Sequence, residues 1–142
     1  MTSASIFFYS FQAINGLSSA SLFLAPKQSH ESLFQEPQRA YDQLGFSPTA
    51  AEMLHNVLRG QAAALLSIST YLYSRGPKKA DSFLLIGIAG AFTFVSQILT
   101  ARHHVRNPQV MEALGSIKGI YPLLGLNLAF AAGGAWFYRR LL

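Results

Sequence analysis

Glu52, His55, Asn56 and Arg59 stand at positions i, i+3, i+4 and i+7. That spacing puts all four side chains on one face of one helix. Their types suit acid–base chemistry: Glu52 and His55 can exchange protons, and Arg59 can hold developing negative charge. Thr93, Gln97, Thr100 and His104 form a second stripe, spaced by 4, 3 and 4. Gln12, Asn15 and Ser19 make a shorter one, and Tyr121 and Asn127 place polar groups on a last apolar segment.

Three readings fit these residues. In the first they are structural: polar groups bond across helices, and Arg59 snorkels beside Glu52 and Asn56. In the second, Glu52, His55 and Arg59 are catalytic and act on a hydrophobic metabolite, as in a small isomerase or cyclase. No H-E-x-x-H, G-x-S-x-G or phosphate loop accompanies them. In the third, a cluster of Glu52, His55, Asn56, Arg59, Gln97, Thr100 and His104 holds a lipid or a quinone without transforming it. Arg102, His103, His104 and Arg106 offer a further seat for an anionic headgroup. His103 and His104 are adjacent and point about 100° apart on a helix, so they do not ligate one metal from one face. Neither a metal nor a resident cofactor is expected.

The elements that must position these groups follow from composition. Of 142 residues, 51% are hydrophobic and 12% charged, and mean hydropathy is positive at +0.27. Soluble domains carry about 25% charged residues; this chain has too few to cover a wet surface. The net charge of +5 is distributed as short basic groups between apolar runs. That is the pattern of charges flanking membrane spans, rather than the concentrated basic face of a nucleic-acid binder. There is no cysteine, which excludes disulfides, thiolate metal sites and thiol catalysis. The first 26 residues hold no Lys or Arg, so the N-terminal apolar run reads as a retained span rather than a cleaved address.

Four apolar runs, at about 5–25, 50–74, 82–101 and 119–138, approach the roughly 20 residues a span needs. The expectation is one all-α domain over 1–142, an integral membrane four-helix bundle. Thr49 with Glu52 three residues later resembles a capping box opening the second helix. The hairpin "GPKKAD" should make the second and third helices antiparallel neighbours, so that the stripe on the second meets Gln97, Thr100 and His104. Between the first two spans, Leu33, Tyr41 and Leu44 suggest a short interfacial helix interrupted by Pro37. Four spans put both termini on the hairpin's side, with Arg75, Lys78, Lys79, Arg139 and Arg140. Lys27, Arg39, Arg102, Arg106 and Lys118 face the other side. Five against five leaves the positive-inside rule without leverage; the termini are assigned to the cytosol or matrix.

Small residues carry the last signal. Gly125, Ala129 and Gly133 recur every four residues, and Gly87 and Ala91 do the same on the third helix. Such faces let helices approach closely. Asn127 lies about 200° round the last helix from Gly125, so that helix has two faces with reasons to meet protein, which suggests a membrane-protein partner or a homo-oligomer beyond the bundle itself. In size and span count the chain resembles small four-helix membrane proteins, DoxX-like proteins and sterol-biosynthesis scaffolds among them. In profile it resembles supernumerary subunits of respiratory or photosynthetic complexes. That resemblance implies a non-catalytic accessory or scaffold subunit in the lipid bilayer of an organellar inner membrane or the endoplasmic reticulum.

Overall fold

The structure is a computed structural model that describes residues 2–32, 38, 41–42, 45, 47–106 and 120–142. Among these, the regular structure is helical: α1 (Ser3–Leu24), α2 (Pro26–Glu31), α3 (Pro48–Arg75), α4 (Ala80–Arg106) and α5 (Ile120–Leu141). Each long helix follows an apolar run, and local chemistry sets its ends. Thr2 caps α1, its hydroxyl accepting the Ser5 N–H at 3.2 Å. Ser47 caps α3 by accepting the Ala50 N–H at 3.1 Å, with Pro48 in the first turn. The Thr49 capping box is therefore corrected. Proline lacks the N–H that a first-turn residue leaves unpaired, so the chain enters the helix at Pro48, one residue before Thr49.

Gly76, at φ +74°, ends α3 in a conformation that L side chains rarely adopt. The turn after it is held twice: the Ser82 hydroxyl donates to the Gly76 carbonyl at 2.9 Å, and Arg75 Nη2 lies 2.9 Å from Asp81 Oδ2. α2 begins at Pro26, directly after the α1 C-cap Ala25. Leu33, Pro37 and Leu44 of the suggested interfacial helix lie outside the described residues; Tyr41 is described and buried.

The long helices form two antiparallel pairs. α4 packs along α5 and α1 along α3, while α2 rests on both α1 and α3. The tight hairpin thus joins two pairs, and the close packing of α4 goes to α5. Gly87 and Gly90 explain this. A Cβ at Gly90 would stand 2.6 Å from the Ala131 N and 2.9 Å from the Asn127 carbonyl, and one at Gly134 would strike the Gly87 backbone. Bare backbones let these two helices approach closely.

The pairs meet through aromatic rings at the end where α1 starts, α3 turns into α4 and α5 finishes. Phe7 lies 6.3 Å from Phe83, 5.8 Å from Phe130 and 5.3 Å from Phe137, centroid to centroid. Phe11 meets Phe130 edge-on at 4.9 Å. Phe8, Leu72, Phe83 and Ile86 are fully buried there. Pairs of this geometry contribute about 0.5–1.5 kcal/mol each beyond contact area.

The outside is apolar. Leu17, Phe92 and Tyr73 are each more than 70% exposed. Along α4, Leu84, Ile88, Phe92, Val95 and Leu99 make one outward face. Among the described residues one helix segment, Ala80–Arg102, is long and apolar enough to cross a membrane, and 17% of its apolar window is buried. Elsewhere polar residues dilute the runs: Gln12, Asn15 and serines on α1, Glu52 to Arg59 on α3, and Arg139 with Arg140 closing α5.

Candidate functional site

The α3 stripe straddles the border between surface and interior. Glu52, Asn56 and Arg59 are exposed. Arg59 Nη1 donates to Asn56 Oδ1 at 3.1 Å and lies 4.0 Å from Glu52 Oε1. His55, at one edge of the stripe, is 5% exposed. It belongs to the inward line of α3, followed at seven-residue intervals by buried Ala62 and half-buried Ser69. Carboxylate and imidazole therefore occupy different environments, one solvated beside a guanidinium and one enclosed.

The other half of the expected cluster lies with a different helix pair. Gln97 accepts from Asn127 of α5 through Oε1, at 3.2 Å. Thr100 is exposed, and the side chain of His104 lies outside the described residues. The structure brings Gln97 to Asn127, and it brings Glu52, Asn56 and Arg59 to one another. Among the described residues it shows no bond between the two groups.

Carboxamides gather instead at the centre. Gln12 Nε2 of α1 donates to the Ser69 carbonyl of α3 at 3.0 Å, which pins the first pair. Asn127 Nδ2 reaches both Gln97 Oε1 and, at 2.9 Å, the Leu123 carbonyl, which pins the second. Between the pairs is a cavity of about 20 Å³, lined by groups from all four long helices: Asn15, Ser69, Thr93 and Asn127, with Phe11 and Gly90 beside them. That is room for about one water molecule, and the polar lining suits one. Asn15 Nδ2 donates back to the Phe11 carbonyl at 3.1 Å, and Thr93 Oγ1 to the Ala89 carbonyl at 2.8 Å.

What this layer can do is limited by its side chains. Amides and hydroxyls donate and accept hydrogen bonds but do not titrate near neutral pH, so they orient and seal rather than move protons. Among the described residues no three His, Asp or Glu side chains gather where they could hold one metal ion. Gln12, Asn15, Gln97 and Asn127 were each visible as polar positions in apolar runs. Ser69 was not, because its backbone carbonyl, rather than its side chain, makes the bond to Gln12.

The small residues separate into three environments. Gly87 lies in the seam between α4 and α5, and Ala91 is exposed on the groove beside it. Gly133 faces the Phe7 ring of α1, and the seam residue on α5 is its neighbour Gly134. Gly125 has nothing within 4 Å of where a Cβ would stand, and Ala129 is exposed. Compared with protein-family models, with curated proteins and with solved structures, the chain matches none.

Proposed function

We propose that this chain is a multi-pass membrane protein, a four-helix bundle acting as a non-catalytic accessory or scaffold subunit of a larger membrane assembly. The observation that carries the reading is the distribution of polarity: amides inside, large apolar side chains outside. In water an exterior of this kind would drive aggregation; in a bilayer it is the solvated surface.

The exposed hydroxyls support the same reading. Ser18, Ser67, Thr70, Ser74 and Thr93 each donate to a carbonyl three or four residues earlier, at 2.7–2.9 Å. A hydroxyl bonded this way presents no unsatisfied donor to lipid. The cations at the helix ends, Arg75, Arg139 and Arg140, fit the headgroup level.

Scaffolding rather than catalysis is supported by the different environments of the exposed Glu52 and the enclosed His55, and by a central layer of amides and hydroxyls. The face left for a partner helix is the Gly125 and Ala129 side of α5, where a Cβ at Gly125 meets nothing. Extraction in mild detergent followed by mass spectrometry tests the proposal. A stoichiometric membrane-protein complex that Gly125→Leu disperses supports it; a monomer carrying a small molecule it converts would overturn it. Glu52→Gln and His55→Ala separate the enzymatic alternative, since catalysis by that pair requires both to abolish turnover while assembly persists.

A further inference from the structure

Beside the close seam of α4 and α5, on the outer surface, runs a groove of about 420 Å³. Gly87 and Ala91 of α4 and Ala131 and Ala135 of α5 form its floor, and Tyr138 and Arg139 stand at one end. The floor is shallow-walled because these residues have little or no side chain. From Ala131 to Arg139 it follows ~12 Å of helix, so one end is apolar and the other cationic.

The cationic end is crowded with uncompensated charge. α3, α4 and α5 bring Arg75, Lys78, Lys79, Arg139 and Arg140 to the same end of the molecule. Of these, Arg75 is bonded to Asp81 at 2.9 Å. Arg140 lies over the Trp136 ring, 4.6 Å from its centroid. Among the described residues no carboxylate lies within ion-pair distance of Lys78, Lys79, Arg139 or Arg140. An occupant must therefore supply an apolar body for the floor and an anion for Arg139.

We infer that this groove binds one anionic phospholipid, with an acyl chain along Gly87 and Ala91 and its phosphate at Arg139 and Tyr138. An acidic phospholipid supplies both in one molecule, whereas a sterol would leave the charge unanswered. Basic pockets between membrane helices recognise acidic headgroups on these terms. The inference rests on the membrane reading and goes beyond it by assigning a ligand class and a site.

Trp136 is the chain's one tryptophan and stands exposed next to Ala135, so it reports lipid at this surface. The protein is reconstituted into phosphatidylcholine vesicles containing a minor fraction of brominated phosphatidylglycerol or of brominated phosphatidylcholine, and quenching is compared. The expected association constant for the acidic lipid is about five-fold or more above that for the zwitterionic one, the effect of one surface cation. Arg139→Gln, which removes the charge, and Ala91→Phe, which fills the floor, should each erase most of that preference. Equal constants in the parent protein, or a preference both variants retain, would overturn the site. So would an efficient disulfide dimer of Ala91→Cys, because a second copy would then occupy the groove; the parent chain has no cysteine to confuse that result. If neither lipid quenches Trp136, the membrane reading itself fails and takes the site with it.

Discussion

Asn127 makes two hydrogen bonds with one amide nitrogen, to Gln97 Oε1 and to the Leu123 carbonyl. A leucine there would keep the volume and leave the Gln97 oxygen facing an apolar seam. Interhelical bonds of this kind are worth about 0.6–2 kcal/mol, so Asn127→Leu and Gln97→Leu should each lower stability by that order. Their double mutant should cost less than the sum, as a thermal-melt cycle in detergent would show; strict additivity would mean that the two amides do not interact. Tyr41 gives a pH signature outside the long helices. Burial first, and then the Glu31 charge, hold its phenol above the ordinary value of 10.0. The neutral ring is what the fold favours, so this contribution is complete below about pH 10 and is lost as pH rises through the raised value. Alkaline absorbance titration should show one tyrosine ionising late, and Tyr41→Phe should remove that phase. The α3 stripe shows what sequence spacing can and cannot tell at this scale. The intervals between Glu52, His55, Asn56 and Arg59 fix their relative angles, but not how far the helix is rotated. Its packing on α1 and α2 decides that His55 turns inward while the other three stay outside.

The positions of the long helices were legible because largely apolar runs end at Pro26, Gly76 and Arg139. Their pairing was not. A short turn such as residues 76–79 makes α3 and α4 consecutive, yet closeness along a seam depends on where side chains are absent on both surfaces at once. Gly90 and Gly134 complete that contact beside Gly87, and neither falls on the four-residue repeats of Gly87 with Ala91 or of Gly125, Ala129 and Gly133. The seam makes a contrast that can be measured. Gly90→Ala sets a methyl against the Ala131 and Asn127 backbone, which cannot move aside without parting the helices, and should cost about 1–3 kcal/mol. Gly125→Ala meets nothing and should be neutral or stabilising by up to about 1 kcal/mol through helix propensity. Equal effects of the two substitutions on the melting midpoint would contradict this packing.

At the scale of the whole molecule, the sequence showed which residues are apolar, and the structure shows that many of the largest, Leu17, Phe92 and Trp136 among them, point outward. The four long helices alternate in direction, so the start of α1, the turn at 76–79 and the end of α5 lie together, with α2 at the opposite end. If lipid covers the middle, those two ends belong to different compartments. Single cysteines at Lys27 and at Lys78, introduced into a chain that has none, test this in sealed vesicles with a membrane-impermeant maleimide. One of the two should be labelled from outside, and the other should react once detergent opens the vesicle. Labelling of both from the same side before detergent would contradict a chain that crosses the membrane between them.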